Sequence, residues 1–310
     1  MSVLIPTYTR AELLPRARAS VLAQTFTDFE VIVVVDGSTD ETADVLRRVE
    51  DPRVHWIVQP NAGISAARNA GIELAAGEWL AFLDDDNEWF PAYLERQLAT
   101  AARTNAPVVY AQGVDVGDTV PRIQPDALPE GDVFSWMTRR WHPFITAVMV
   151  RRDLAIRVGG FSTALPAMED TDLLLRLGLR VPFGATPAPL ITRHRPGGLR
   201  LSENFGAARD ASVVLDRSFG PVIRANLGAF AYAYWFRWNR GESEIRLMHA
   251  RAPDNNRRAA WAALRSLAPL LPWSTTSIWR PVLLLVIGPG TYERARLLYH
   301  DLHQPFTHRR

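Results

Sequence analysis

The sequence predicts an α/β fold: a mostly parallel central sheet with helices on both faces, followed by a helical C-terminal extension. Three observations carry this. Short β-branched strands alternate with amphipathic helical segments through the first 110 residues, the pattern of βαβ units. Each early strand ends in a polar loop, and parallel sheets bind ligands beyond the carboxyl ends of their strands. The clearest such end is Trp79-Leu80-Ala81-Phe82-Leu83-Asp84-Asp85-Asp86-Asn87, an apolar strand running into three consecutive acids. Adjacent carboxylates repel and tolerate the edge of a core poorly unless something neutralises them. A hard divalent cation, Mg²⁺ or Mn²⁺, suits an oxygen-only donor set; a solvated turn capping a helix is the plainer alternative.

In chain order, Val3-Leu4-Ile5 reads as a strand and Pro6-Thr7-Tyr8-Thr9-Arg10 as the loop after it. Leu13, Leu14, Ala17, Val21 and Leu22 recur at helical spacing. Phe29 to Val35 is a second strand, closed by Asp36-Gly37-Ser38-Thr39-Asp40, and a helix carries Ala43, Val45, Leu46 and Val49. Val54 to Val58 is a third strand, and Gly63 through Gly71 opens a helix of small residues. After the acid-tipped strand, Asn87 to Thr104 is expected to be helical and Val108 to Ala111 a strand. The Gly-, Pro- and Asp-rich stretch from Gly113 to Asp132 predicts a hairpin or mobile loop. Ile145 to Val150 is expected as a strand, then a short helix from Arg152 to Val158 closed by Gly159-Gly160. Acids at Glu169, Asp170 and Asp172 open a helix through Leu177; Leu190 to His194 is a last strand.

Past about Asn204 the character changes. Gly206–Ser218, Val222–Trp238, Ala259–Leu271 and Tyr292–His300 read as helices, and the tail holds Trp235, Trp238, Trp261, Trp273 and Trp279 of the ten tryptophans. With arginines beside its apolar runs, it is either a platform for an anionic membrane surface or a helical cap packed on the sheet.

The 310-residue chain is 47% hydrophobic and 22% charged, ordinary for a globular protein. It has no cysteine and no lysine, which excludes thiolate metal sites, cysteine nucleophiles, lysine Schiff bases and a Walker-type phosphate lysine. Arginine must therefore do any phosphate work. A formal charge of +2 gives no reason to expect a nucleic-acid partner. No apolar run is long enough to span a bilayer and no secretory leader is evident, so a cytoplasmic location is expected, with a peripheral contact at the inner membrane face if the tail serves as a platform.

The ordered motifs resemble glycosyltransferase family 2, inverting nucleotide-sugar transferases with a GT-A fold. Pro6-Thr7-Tyr8-Thr9-Arg10 resembles the family's opening loop, with Thr9 in place of the usual Asn. Val35-Asp36-Gly37-Ser38-Thr39-Asp40 resembles its Asp-Asp-Gly-Ser-x-Asp loop, with Val35 replacing the first acid. Ala67-Arg68-Asn69-Ala70-Gly71, the DxD element at Asp84-Asp85-Asp86, and Gly159-Gly160-Phe161 followed by Glu169-Asp170-Thr171-Asp172 complete the series. The resemblance covers Val3 to about Ser202. It implies a donor half at 1–112 and an acceptor and catalytic half at 113–204; the helical extension at 205–310 rests on the change of sequence character alone.

The roles below are likewise implied by that resemblance. Pro6, Thr7, Tyr8, Arg10 and Asp36 would hold the nucleotide, Asp36 taking a hydrogen bond from the base, uracil being the expected one. Arg68 would lie near the diphosphate. Asp86 would be the main ligand of Mn²⁺ or Mg²⁺, with Asp84 on the ribose or the metal, Asp85 nearby, and His194 completing the metal site. Asp170 would be the general base that deprotonates the acceptor hydroxyl, oriented by Glu169. Arg193, Arg195 and Arg200 would close over the diphosphate; Trp89 and Trp141-His142 are candidates for stacking on a sugar. The implied reaction moves a hexose-type sugar from a UDP-sugar to a glycan, lipid-linked or small-molecule acceptor. A sugar nucleotidyltransferase and a non-catalytic nucleotide- or sugar-binding protein are the rival readings. Which sugar moves and how many copies assemble are not legible in the sequence.

Overall fold

A computed structural model describes residues 1–117, 122–125, 127–138, 142–194 and 204–251. The chain divides between Leu199 and Arg200 into two units, each taken by itself.

The first unit is built on one sheet. Strand β1 (Ser2–Thr7), helix α1 (Leu14–Leu22), β2 (Glu30–Asp36), α2 (Thr42–Arg47), β3 (Val54–Gln59), α3 (Ile64–Leu74) and β4 (Trp79–Phe82) follow the predicted alternation. Then come β5 (Asn87–Trp89), α4 (Tyr93–Thr104), β6 (Val108–Val116), β7 (Arg122–Gln124), α5 (Phe134–Met137), a 3₁₀ turn (Ile145–Ala147), β8 (Val148–Arg151), α6 (Arg152–Arg157), α7 (Glu169–Gly178) and β9 (Phe183–His194). The sheet order is β3-β2-β1-β4-β8-β6-β9-β5, with β7 paired to β6. The pairs β3–β2, β2–β1 and β1–β4 are parallel; β8 runs antiparallel to β4 and to β6, and β6 pairs parallel with β9.

Burial explains the continuous apolar runs. Every residue of β1 and all but the first of β2 are buried, as expected of strands covered on both faces. Each Val, Leu or Ile removed from water in this way contributes about 1.5–3 kcal/mol. Gly71 lets α3 lie close on β1: a Cβ there would stand 3.2 Å from the Leu4 side chain.

Two expectations are corrected. Asn87–Trp89 is not the start of a helix: it is strand β5, antiparallel to Ile191–Arg193 of β9. The helix begins only at Tyr93, after Pro91, because the edge of β9 offers backbone partners that the local pattern cannot reveal. Ile145–Ala147 is a 3₁₀ turn rather than strand, and β8 begins at Val148. The Ala147 carbonyl is held by the buried Gln97 side chain at 2.9 Å and that of Thr146 by the Trp89 indole at 2.9 Å, so these carbonyls are committed to side chains.

In the second unit, α8 (Phe205–Arg251) is two helices joined at Gly228, whose φ of 85° and ψ of 170° leave the helical region. No described helix is long and apolar enough to cross a membrane. The expected helices at 259–271 and 292–300, with Trp261, Trp273 and Trp279, lie outside the described residues, and so do Trp141, Arg195 and Arg200.

Candidate active site

At the carboxyl end of β4 the chain turns sharply, and its three acids separate. Asp85 points inward, its side chain 5% exposed. Asp84 and Asp86 stay on the open side at 31% and 22%. Burial pushes the Asp85 carboxyl up to about 6, while Arg10 and Thr7 pull it part of the way back. Arg10, from the loop after β1, donates to Asp85 Oδ1 at 2.8 Å and to Asp86 Oδ2 at 3.0 Å. One guanidinium thus bridges the buried acid and an open one.

A second arginine ties Asp84 to a distant motif. Arg68 projects from α3 and is almost fully buried. It donates to Asp84 Oδ1 at 2.8 Å and to Glu169 Oε1, at the start of α7, at 2.7 Å. Burial works against its charge, but Asp84, Glu169 and Asp170 more than compensate and raise its pKa. The Glu169 carboxyl is in turn raised, first by burial and then by Asp170, with Arg68 opposing both. Buried charges persist only when paired and hydrogen-bonded, and this arginine meets carboxylates from two motifs 85 positions apart in the chain.

The neighbouring residue explains why those motifs meet. Asn69 Nδ2 donates to the Phe161 carbonyl at 2.8 Å, and the Phe161 amide donates back to Asn69 Oδ1 at 2.8 Å. Gly160 precedes that peptide with φ of +61°, and any Cβ there would lie 2.5 Å from Asn69 Oδ1. Only glycine fits both constraints. Phe161 then packs edge-on against Phe82 and beneath the Arg68 guanidinium, 5.1 Å from its ring centre.

The remaining sequence-predicted residues are distributed as follows. Pro6 and Thr7 are buried at the end of β1, and Tyr8 is half exposed beyond them. Thr9 holds a left-handed φ of 51°, and its amide donates to Ser38 Oγ at 2.9 Å. Asp36 is buried; it accepts from Gln59 Nε2 at 2.7 Å and from the amides of Ala62 and Gly63 at 2.9 and 2.8 Å. It therefore anchors the loop that starts α3, a favourable place for an anion. Asp170 stands beside Glu169 and accepts from the Thr171 amide at 2.7 Å. Asp172 turns to Arg176, which also holds the carbonyls of Val158 and Gly160.

His194 Nε2 engages Glu88, which also pairs with Arg16 at 3.3 Å. Among the described residues no three acidic or imidazole side chains converge as a ready-made metal cage. Arg193 is tied to Asp115 at 2.7 Å and lies over the Phe144 ring. Trp89 is buried and stacks on Tyr93, so it is a core residue and not a sugar platform.

Sequence reasoning missed Thr146. Buried in the 3₁₀ turn, its hydroxyl donates to Asp84 Oδ2 at 3.0 Å and accepts from the Asp84 amide at 3.2 Å. A lone Thr inside an apolar run carries no local signal of that role.

Residues 2–164 match the family model described as Glycosyl transferase family 2. Among curated relatives, the uncharacterized glycosyltransferase YibD of Escherichia coli (strain K12) is 31% identical over 171 residues, 51% of this chain and 50% of that protein. Validoxylamine A glucosyltransferase of Streptomyces hygroscopicus subsp. jinggangensis is 45% identical over 107 residues, 33% of this chain and 25% of that protein. The chain thus spans half or less of these two relatives' own length. Among solved structures, S. aureus TarS 1–349 in complex with UDP-GlcNAc superposes with a TM-score of 0.63 at 18% identity, covering 95% of this chain and 91% of that one. The mannosyltransferase PcManGT from Pyrobaculum calidifontis, in complex with GDP-Man and Mn²⁺, gives 0.55 at 20% identity, covering 92% and 86%. These likenesses support the GT-A fold read from the motifs.

Proposed function

The chain belongs to glycosyl transferase family 2, and from that premise we propose that it moves a sugar from a nucleoside diphosphate sugar to an acceptor hydroxyl with inversion at the anomeric carbon. The observation that carries this reading is the buried Arg68 holding Asp84 and Glu169 together. It supports a single cleft in which the acids after β4 meet the acids that open α7. In this reading residues 1–112 hold the donor, 113–204 the acceptor, and 205–310 form a helical extension. UDP is the expected nucleotide; the neighbours that hold UDP-GlcNAc and GDP-Man favour a nucleotide sugar of some kind.

The donor set fits a divalent cation. Asp84 and Asp86 flank the buried Asp85 as two partly open, oxygen-only ligands, and Mg²⁺-type ions are commonly held by one or two carboxylates while phosphate and water complete the shell. Arg10 and Arg68 are two cations among four carboxylates, Asp84, Asp85, Asp86 and Glu169, so the cleft has negative charge to spare. Asp84 and Asp86 would hold the ion, with His194 as a third ligand only after leaving Glu88. When bound, Mg²⁺ or Mn²⁺ would neutralise the charge that builds on the departing diphosphate. The protein's own residues do the rest. Arg10 and Arg68 orient the acids, Tyr8 flanks the base with Asp36 behind it, and Asp170 takes the acceptor proton while Glu169, itself held by Arg68, steadies it.

The test is binding and turnover together. UDP-sugars and GDP-sugars are screened with Mn²⁺ for thermal stabilisation and for release of the nucleoside diphosphate with and without glycan acceptors. Metal-dependent binding that Asp86→Ala abolishes, and transfer that Asp170→Asn abolishes with donor binding intact, are the expected results. Absence of any nucleotide binding would overturn the reading.

A further inference from the structure

We infer that Thr146 is a positioning residue that keeps Asp84 available to the open side of the cleft; the inference rests on the functional reading above. The Asp84 carboxylate is divided between two partners. Oδ1 accepts from Arg68 at 2.8 Å and Oδ2 from the Thr146 hydroxyl at 3.0 Å. A guanidinium fork prefers to take both oxygens of one carboxylate. Without the hydroxyl, Asp84 loses the partner that holds Oδ2 apart from Arg68, and rotation of both oxygens onto the guanidinium would change how the partly exposed carboxylate is presented.

The hydroxyl can resist that rotation because the turn carrying it is fixed from several sides. Its carbonyl accepts from the Trp89 indole at 2.9 Å, the next carbonyl from Gln97 at 2.9 Å, and the Ala147 amide donates to the Phe144 carbonyl at 2.8 Å. Thr146 is 1% exposed, so water cannot replace it. The same oxygen accepts from the Asp84 amide at 3.2 Å and from Asn87 Nδ2 at 3.4 Å. One side chain therefore sets both the backbone and the carboxylate at the start of the acid turn. Groups that hold a metal-binding carboxylate from behind commonly matter ten- to a hundred-fold in metal affinity.

The experiment compares Thr146→Val, which keeps the shape and removes the hydroxyl, with Thr146→Ser, which keeps the hydroxyl and removes the methyl. Calorimetric titration with UDP and with GDP at graded Mn²⁺ reads the cation concentration for half-maximal nucleotide binding; unfolding without ligand is measured in parallel. The valine variant is expected to need about ten-fold more Mn²⁺. The serine variant is expected to stay near the unaltered chain in binding even where its unfolding temperature falls, an order that a packing role could not produce. If the valine variant precipitates, Thr146→Ala replaces it. Unaltered Mn²⁺ dependence in the hydroxyl-free variant, or equal weakening in serine and valine, would overturn the inference alone. Failure of the unaltered chain to bind either nucleotide would overturn the functional reading and this inference with it.

Discussion

Replacing Arg68 by Met keeps much of its length and apolar stem and removes the charge together with the N–H donors that meet Asp84 and Glu169. Arg68 is buried and makes two short ion pairs, 2.8 Å to Asp84 and 2.7 Å to Glu169. Asp84 is nearly a third exposed, so water recovers part of its loss; Glu169, 16% exposed, has no such recourse. Breaking a buried pair from one side costs about 3–5 kcal/mol, because the remaining charge stays buried and uncompensated. In a folded unit of this size, where 1 kcal/mol moves Tm by about 2–4 °C, the drop is roughly 6–20 °C. The pH dependence gives an independent check. The folded pKa of Glu169 is already raised, and losing Arg68 raises it further. A carboxyl whose folded pKa exceeds its unfolded one binds more protons in the native state, so its contribution to stability falls as pH rises through that window. The deficit of Arg68→Met is therefore smallest near pH 4–5, around the ordinary Glu value, and largest near pH 8. Adding Glu169→Gln removes the stranded charge and should recover part of the loss at pH 8. The assay is thermal and urea unfolding of the ligand-free protein across that range. A Tm within about 2 °C of the unaltered protein, flat with pH, would refute the argument.

Two further outcomes follow from the same geometry. Asp85 has a folded pKa near 6, raised by burial, so it lowers stability by roughly 3 kcal/mol as pH rises from about 4 to 7; Asp85→Asn should flatten that part of the Tm–pH curve, and an unchanged slope would contradict it. Thr9 is β-branched yet sits at φ of 51°, where Asn is far better tolerated; Thr9→Asn should raise the urea midpoint by an amount equivalent to about 1 kcal/mol, and a fall would show that no strain resides there.

How much of this was legible in the sequence depended on distance along the chain. The parallel strands and the helices between them announce themselves because their burial is written as local runs, such as Val31 to Val35. Strand β5 does not, because Asn87–Trp89 becomes a strand only through pairing with Ile191–Arg193, about a hundred residues later. The 3₁₀ turn at Ile145–Ala147 escapes for a like reason: its carbonyls are claimed by Trp89 and Gln97, contacts absent from any local pattern. In the site, the clustered acids stood out by type because adjacent carboxylates demand a counter-charge, whereas Arg68 came only from the resemblance, which set it near a diphosphate and not between two carboxylates. Which acid each arginine takes was not legible. Asp36 illustrates the gap, as its loop position suggested an open acceptor whereas three N–H groups already converge on it.

The exchange of hydrogen bonds between Asn69 and the Phe161 peptide has a mechanical consequence. A single amide that grips both the carbonyl and the N–H of one residue fixes register as a zip tooth does, tolerating no slip of even one position. An extra residue beside Gly160 would therefore throw Glu169 out of line with Asp84.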